Sequence, residues 1–493
     1  MLCAVAMVLR TNRHGMKNKE DTTMKKDIRT LAALLIASAT FVACSSDNDI
    51  ISENQQPANG KYTMTINASK GSDAATTRAL SLDGKTLNAT WTDGEEVTVY
   101  EGENYLGTLS ATNSNGANCT LTGLLNNAPT GSEVTLKFNT PNYTEQDGTL
   151  DYIASNCDYA TATTTVTVSG NTISGTNAEF VNQQAIVKFT ILDKDYSNSA
   201  YQTNTLWVYV NGTLVSKAGN ESSTSNVVYI AVPGVSNGTI KIVARKKGAS
   251  KRQYIKENVT LINGQYYDIS AKTTAPHTPE NVVASDKGKF VGADNYIWDS
   301  ATEATQISGG ARAVVSYVGS CTNYFTKCLC LALEDLSTNR IGNTEAHTLL
   351  ETWASTHSIL GYNTDNGGVY DGVNSTWKNA TELKRGWRLP TVCDLRYLLY
   401  SYNGMSLTDP ATVEHGTQFG TEGTTYAAFR TAVNAACGNE NLQNLTWGGY
   451  GTSSRMLGSE TTPSTWWWGY PAKFMHAADN GSYKYFYRPV FAY

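Results

Sequence analysis

Apolar and polar residues alternate through the first part of the chain, from Lys61 to about Thr274. The clearest sets are Tyr62/Met64/Ile66, Val97/Val99, Val134/Leu136/Phe138, Val166/Val168, Val187/Phe189/Ile191 and Leu206/Val208/Val210. Successive side chains of a strand point to opposite faces, so this period of two predicts half-buried β-strands. Helical periodicity is absent from the region. About 210 residues of short strands suit two β-sandwich lobes, residues 61–175 and 176–274, with the break near Gly170–Ala178.

Two asparagine–glycine pairs predict where strands turn back. Asn211-Gly212 follows one alternating stretch and Asn263-Gly264 follows another. Both residue types tolerate the positive φ angles that a two-residue hairpin loop requires. We therefore expect a β-hairpin at each pair.

The pattern changes after a proline-containing linker, residues 275–281. Apolar spacing predicts helices and strands over Ala313–Val318, Glu345–Thr356, Thr391–Tyr400, Tyr426–Ala436 and Tyr485–Phe491, the first and last of these being strands. Eight of the ten tryptophans lie from Trp298 onward. Residues 282–493 are therefore expected to form an α+β domain in which the first and last strands pair.

The N-terminal segment has a third pattern. Met24–Arg29 is basic, Leu31–Ala43 is apolar, and small residues lead to Cys44. The apolar run is shorter than the roughly 20 residues that span a bilayer. The arrangement resembles a bacterial lipoprotein signal, although Phe41 stands where leucine is commonest. The alternative is a buried helix over residues 31–42.

The resemblance to a lipoprotein signal implies how the protein is anchored. Residues 1–43 would be a signal peptide whose true start is Met24. Cys44 would be acylated, residues 44–60 would form a tether, and the lipid would hold the precursor on the outer membrane.

Composition and charge exclude several classes of function. The net charge is −5 with both signs dispersed, so we expect no nucleic-acid partner. The chain is rich in Thr, Asn, Ser, Gly and Tyr, which is typical of an extracellular β protein. HExxH, GxSxG and P-loop patterns are absent, so we do not expect an enzyme.

No metal or cofactor is expected either. The sequence has no CxxC pair and no paired His spacing of the kind that binds zinc. The oxygen-rich stretch 363–371 lacks the ordered spacing and closing Glu of a calcium loop, and it is interpreted as a solvated turn. Cys328 and Cys330 share one strand face and are interpreted as buried thiols.

Two stretches of the β region resemble the fimbrillin family of Bacteroides-type pili: Ala74–Leu80 and Asn263–Ile269. The resemblance implies a mainly β fold with two transthyretin-like sandwich lobes. It also implies that an Arg-specific protease cuts between Arg78 and Ala79. Loss of the strand over Lys61–Ala68 would open an apolar groove, which another fimbrial subunit fills by β-strand addition. The alternative is that Arg78 is an ordinary surface residue.

The second region carries Gly386–Tyr397, with the sequence GWRLPTVCDLRY, and ends in Tyr487–Tyr493. Both stretches resemble C-type-lectin-like domains of Bacteroides surface proteins, which implies that fold but no particular ligand. Trp387 and Arg388 are interpreted as structural. Arg388 could anchor a carboxylate such as Asp299 or Glu334.

Consecutive tryptophans form the candidate ligand site. Neighbouring residues on a strand alternate between faces, so these rings cannot all enter one core. An exposed indole stacks on a sugar ring or anchors a protein contact. The predicted ligand-binding residues are Trp466, Trp467, Trp468, Tyr470, Tyr450 and Arg455. The alternative is that Trp466 and Trp468 are core and that Trp467 packs on a loop.

Together these patterns predict a pilus tip adhesin at the cell surface. The chain ends inside its second domain and not in a strand that it could donate, which suits a tip subunit. The C-terminal domain would then bind a glycan or protein ligand. The main alternative is a stand-alone, lipid-anchored binding protein, and a third is a receptor with diversified terminal loops.

Overall fold

The computed structural model describes residues 62–70, 81–83, 86–88, 90–321, 324–341, 343–357, 369–371, 376–378, 386–404, 424–437, 448–457, 464–470, 473–478 and 485–493. These residues all belong to one compact unit, Lys61–Tyr493. Within the described ranges, no helix is long and apolar enough to cross a membrane.

The first lobe is built from strands that alternate between buried and exposed residues. The strands are β1 Tyr62–Lys70, β2 Ser81–Asp83, β3 Thr86–Asn88, β4 Glu96–Glu101, β5 Asn104–Asn115, β6 Asn118–Leu125, β7 Glu133–Phe138, β8 Glu145–Gln146, β9 Ala160–Ser169, β10 Thr172–Gly175 and β11 Ala178–Asn182. Among the described strands, β2 and β3 pair with each other and with no other. The inward side chains of the other first-lobe strands, β8 excepted, form one apolar core.

The main sheet of this lobe closes on itself, a feature that the predicted β-sandwich did not include. Its order is β10-β1-β11-β9-β7-β4-β5-β6, and β1 also pairs with β6. β11 pairs with β9 and with β1, so it belongs to this sheet. β11 also contributes Ala178 and Phe180 to the core of this lobe, so the first lobe extends past residue 175, where the sequence analysis placed the boundary.

The second lobe has two sheets that share a core, as a sandwich does. Its strands are β12 Gln184–Asp193, β13 Ser199–Ala200, β14 Thr205–Val210, β15 Thr213–Gly219, β16 Val227–Pro233, β17 Val235–Arg245, β18 Arg252–Leu261 and β19 Tyr266–Thr273. One sheet has the order β13-β12-β16, with β19 also pairing with β12. The other sheet has the order β18-β17-β14-β15-β8.

The two asparagine–glycine pairs differ in outcome. Asn211 and Gly212 have φ angles of 51° and 79°, and they join β14 to β15 as the predicted hairpin. Asn263-Gly264 also makes a turn, but it joins β18 to β19, which lie in different sheets. The second hairpin prediction is therefore wrong: local turn chemistry does not determine which strands pair.

A segment between β7 and β9 crosses from the first lobe to the second. It contains helix α1, Leu150–Asn156, which the sequence pattern did not predict and which Thr149 caps. Ile153 of this helix packs against Ile186 and Ala231 of the second lobe. β8 of the same segment pairs with β15.

The third region combines strands and helices, as predicted. Its strands are β20 Phe290–Gly292, β21 Ile297–Trp298, β22 Ala311–Val318, β23 Cys328–Ala332, β24 Val369–Asp371, β25 Thr376–Lys378, β26 Gly386–Arg388, β27 Gly448–Leu457, β28 Ser464–Tyr470, β29 Lys473–Ala478 and β30 Val490–Ala492. Its helices are α2 Ala301–Ser308, α3 Asn343–His357, α4 Val392–Asn403 and α5 Thr424–Cys437. The predictions of α3, α4 and α5 are confirmed, whereas α2 was not predicted.

One sheet of this region has a separate core on each face. Its order is β21-β20-β22-β23-β30-β26. Leu329 and Leu331 pack towards α4 and α5, while Cys328 and Cys330 pack towards α3. β30 pairs with β23 and β26, not with β22, so the predicted pairing of first and last strands is wrong. A second sheet has the order β25-β24-β27-β28-β29.

The third region packs against the second lobe through a mixed interface. Trp207, Tyr209 and Val243 of the second lobe share a buried cluster with Trp298 and Ile307. Lys241 Nζ lies 2.7 Å from Asp299 Oδ2 and also pairs with Glu303 of α2. Tyr209 donates a hydrogen bond of 3.0 Å to Gln306. Lys241 and Glu303 are buried together, with the half-exposed Asp299 beside them, so these contacts favour one orientation of the two regions.

Candidate functional site

β1 is held on both edges, and this makes its place in the first lobe the leading candidate site. On one edge it pairs antiparallel with β6, from Tyr62 opposite Leu125 to Ser69 opposite Asn118. On the other edge it runs parallel to β10 and then to β11. Its removal would leave unpaired backbone groups on two facing strand edges and would open the closed sheet.

One face of β1 supplies the core of the lobe. Met64, Ile66 and Ala68 are buried, whereas Thr65 and Asn67 between them are exposed. Burial of each of the two larger side chains contributes about 1.5–3 kcal/mol. A groove left by this strand would therefore be apolar and shaped for side chains at two-residue intervals.

The last residue of β1 is a buried lysine. The Lys70 side chain is 3% exposed, and its Nζ lies 3.1 Å from Glu95 Oε2. The same Nζ lies 3.4 Å from the ring centroid of Phe138 and 4.0 Å from that of Trp91. Burial lowers the pKa of Lys70, and the charges of Asp158 and Glu95 oppose that effect. Ion pairing and cation–π contact thus hold an ammonium group in an apolar site.

The sequence analysis did not identify this lysine site. A signal was present, because Lys70 occupies the same face of the strand alternation as Met64, Ile66 and Ala68. A charged residue at an inward position indicates a buried partner.

Three predicted residues lie outside the described residues: Cys44, Arg78 and Ala79. The structure describes β1 as far as Lys70, and β2 begins at Ser81. The proposed lipidation and cleavage positions therefore remain predictions.

The predicted ligand-binding residues lie on two adjacent strands. β28 carries Trp466, Trp467, Trp468 and Tyr470, and β27 carries Tyr450 and Arg455. Tyr450 is opposite Trp468, and Arg455 is opposite Thr465. The structure thus places all six residues on one strand pair in the middle of the second sheet. Whether the rings bind a ligand stays a prediction.

Arg388 has a different partner from those predicted. Its Nε and Nη2 lie 3.1 and 2.7 Å from the two carboxylate oxygens of Asp394, and its Nη1 donates to the Tyr324 carbonyl at 2.8 Å. Asp394 also caps α4, because it accepts from the Thr391 N–H. Asp299 pairs with Lys241 and Lys289 instead, and Glu334 accepts from Trp353. The predicted structural role of Arg388 fits this geometry.

Cysteines form two close pairs in the third region. Cys328 and Cys330 are buried on one face of β23, as the alternation predicts, with sulfurs 3.9 Å apart. Cys321 and Cys393 bring their sulfurs within 3.1 Å. In the described part of the chain, no three His, Cys, Asp or Glu side chains group so that they could hold a metal ion.

Comparison with known proteins gives only distant similarities. No family model matches the sequence, and no curated protein does. A solved structure of a proposed cell adhesion protein from Bacteroides eggerthii is 10% identical, with a TM-score of 0.26; the match covers 47% of this chain and 95% of that one. A fimbrial assembly protein from Parabacteroides distasonis is 12% identical, with a TM-score of 0.25, over 43% of this chain and 92% of that one. A shaft pilin from Lactobacillus rhamnosus is 10% identical, with a TM-score of 0.20, over 44% of this chain and 98% of that one. At these identities and TM-scores, the similarities do not assign the chain to a family.

Proposed function

We propose that this chain is an adhesin subunit of a pilus, assembled by strand exchange after cleavage between Arg78 and Ala79. One observation carries the proposal: the strand upstream of Arg78, β1, is paired on both edges and lies within the core of a closed sheet. Its loss would expose apolar surface and unpaired backbone groups at once. A strand from another subunit is the ligand that satisfies both.

The order of events follows from this geometry. While β1 is in place, the first lobe is complete and has no groove to offer. Cleavage after Arg78 would separate β1 from the rest of the lobe, and exchange for a neighbour's strand would restore the pairing with β6 and β11. The precursor is thereby kept from premature assembly.

The finer parts of the proposal concern anchoring and position. The precursor is a lipoprotein acylated at Cys44 on the outer membrane, and cleavage after Arg78 releases the subunit from that lipid. The third region, proposed to be C-type-lectin-like, binds a glycan or protein ligand through the strand pair β27–β28. The subunit occupies the pilus tip, where the third region would meet its ligand.

A second candidate function is a stand-alone surface protein that keeps its lipid. The observation in its favour is that the first lobe with β1 in place is already closed and needs no partner. In that case the third region is simply displayed on the membrane for ligand capture.

Mass spectrometry of the mature N-terminus distinguishes the two. Three cell lines would be compared: one expresses the unaltered chain, one the Arg78→Gln variant and one the Lys85→Gln variant. From each, the N-terminus is determined in sheared surface fibres and in membranes. We expect Ala79 as the first residue in fibres, loss of fibre incorporation for Arg78→Gln, and no effect of the control Lys85→Gln. An acylated Cys44 in every fraction, with Arg78→Gln behaving as the unaltered chain, would overturn the pilus proposal in favour of the stand-alone protein.

A further inference from the structure

The surroundings of the Lys70 ammonium form a defined pocket at one end of the β1 position. Glu95 provides a buried carboxylate, and Phe138 and Trp91 provide ring faces within 4.0 Å of Nζ. The Trp91 ring also packs edge-on against Phe138 and Phe180, at centroid distances of 5.4 and 5.2 Å. Glu95 accepts a second hydrogen bond, from the Thr92 N–H at 3.1 Å. The pocket wall is therefore held by contacts that do not involve β1.

All residues of this wall lie downstream of the proposed cleavage position. Trp91 and Glu95 precede β4, Phe138 ends β7, and Phe180 belongs to β11. Cleavage after Arg78 would remove the lysine and keep the carboxylate and the rings. The groove would then have an acidic, aromatic site at one end and an apolar floor along the rest.

We propose that this site, the Lys70 pocket, binds a lysine side chain of the incoming strand and sets which strand is accepted and in which register. The inference rests on the proposed strand exchange and adds the chemistry of the partner. The accepted strand has inward apolar residues at three alternate positions, followed at the next inward position by lysine. It runs in the direction of β1, antiparallel to β6 and parallel to β11.

The physical chemistry of the pocket favours an ammonium over other groups. A strand with an apolar residue at this position would leave the Glu95 carboxylate buried without the charge that it faces now, which is costly. A strand with an acidic residue would place two like charges together. A shift in register by one residue would turn every apolar side chain to the outer face. Apolar fit and charge pairing together therefore allow one register.

Peptide exchange into the cleaved chain tests the pocket. The folded full-length protein is cut after Arg78 with an Arg-specific protease, and the released strand is exchanged in mild denaturant for synthetic peptides of residues 61–73. The peptides carry Lys70, Lys70→Met, Lys70→Glu, or the outward-facing control substitution Asn67→Met. Affinity is measured from a fluorescent label on the peptide. We expect at least tenfold weaker binding for Lys70→Met, no binding for Lys70→Glu, and unchanged binding for Asn67→Met.

Two further measurements make each outcome decisive. Glu95→Gln in the cleaved chain should reduce the preference for Lys70 over Lys70→Met, with the remaining preference due to the Asp158 charge. If all peptides except Lys70→Glu bind equally, strand exchange stands and the pocket does not select. If no peptide binds, including the unaltered one, strand exchange itself fails. The pocket is then tested in the intact chain by a double-mutant cycle of Lys70→Met and Glu95→Gln. The effect of Lys70→Met on the unfolding equilibrium constant should differ at least tenfold between chains with Glu95 and chains with Glu95→Gln. Equal effects in the two backgrounds would overturn the pocket.

Discussion

Arg388 illustrates how one buried side chain organises the start of a helix. Its guanidinium binds both carboxylate oxygens of Asp394, and the same carboxylate accepts from the N-cap residue Thr391. Arg388 and Asp394 are 1% and 0% exposed in their side chains. The planar fork of arginine matches a carboxylate, and lysine offers only a point charge. The GWRLPT segment is thus explained by folding, with no need of a ligand.

We expect Arg388→Met to lower the free energy of unfolding by about 3–5 kcal/mol, because it leaves the Asp394 carboxylate buried without its partner. Arg388→Lys should recover only part of the loss. Arg340 is exposed, and Arg340→Met serves as the control. This variant loses a cation–π contact with Phe486 and should lower the free energy of unfolding by about 1 kcal/mol or less. Urea denaturation measures all three. Equal stability of Arg388→Lys and the unaltered chain would show that bidentate geometry is unimportant here.

Cys321 and Cys393 lead to a second prediction at the residue scale. Their sulfurs are 3.1 Å apart, and a hydrogen bond from Cys393 lowers the pKa of the half-buried Cys321 thiol. Oxidised glutathione should therefore react first at Cys321, and the Cys393 sulfur should then displace glutathione to leave a Cys321–Cys393 disulfide. Peptide mapping should find this pair linked. The outcome that contradicts the prediction is a stable glutathione adduct on Cys321.

At the scale of elements, period-two alternation identified the strands because burial on one face imposes that period directly. It could not show that the first lobe closes on itself, because the pairing of β1 with β6 depends on contacts between distant segments. The short helix α1 was missed for a related reason. Its stability comes from Ile153 packing on the second lobe more than from its own sequence.

Gln146 holds the crossing segment that contains α1. Its amide nitrogen donates to Ser216 Oγ at 3.0 Å and to the Ala231 carbonyl at 2.9 Å, and its amide oxygen accepts from the Ala231 N–H at 2.9 Å. Gln146→Ala would leave buried groups without these partners, so we expect a loss of about 1–3 kcal/mol in the free energy of unfolding. Gln183 is half-buried and its side chain donates only a local hydrogen bond, to the Val181 carbonyl, so Gln183→Ala serves as the control for a general effect of glutamine loss.

Hydrogen exchange distinguishes a local role of Gln146 from a global one. The Ala231 amide should exchange faster in Gln146→Ala, whereas amides of β4 in the first lobe should not change. Unchanged protection at Ala231 would mean that the side chain does not hold the segment in solution.

At the scale of the molecule, the sequence indicated the place of the candidate site but not its detail. The inward residues Met64, Ile66 and Ala68 are readable from alternation, whereas the idea that this strand is removed came from the resemblance to the fimbrillin family. The inward position of Lys70 indicated a buried partner. The wall of the pocket was not readable, because Trp91, Phe138 and Phe180 come from three separated segments. Side chains that meet only after folding leave no local pattern in the sequence.

The interface between the second lobe and the third region should depend on pH through Glu303. Burial raises the pKa of Glu303 above its ordinary value of 4.5, and Lys241 opposes that effect. Between 4.5 and the raised pKa, the folded protein binds more protons than the unfolded chain. The contribution of Glu303 to the free energy of unfolding therefore falls as pH rises through this window.

Asp299 provides a control of opposite sign at the same interface. Burial favours its neutral form, but Lys241 and Lys289 outweigh that effect and lower its pKa below 3.8. Its stabilising contribution is complete above pH 3.8 and is lost as pH falls through the lowered pKa. We expect Glu303→Gln to flatten the fall in stability above pH 4.5, measured by urea denaturation in steps of pH. Asp299→Asn should lower stability and reduce that slope only in part, because the Asp299 charge contributes to the raised pKa of Glu303. An unchanged slope in Glu303→Gln would exclude Glu303 as its source.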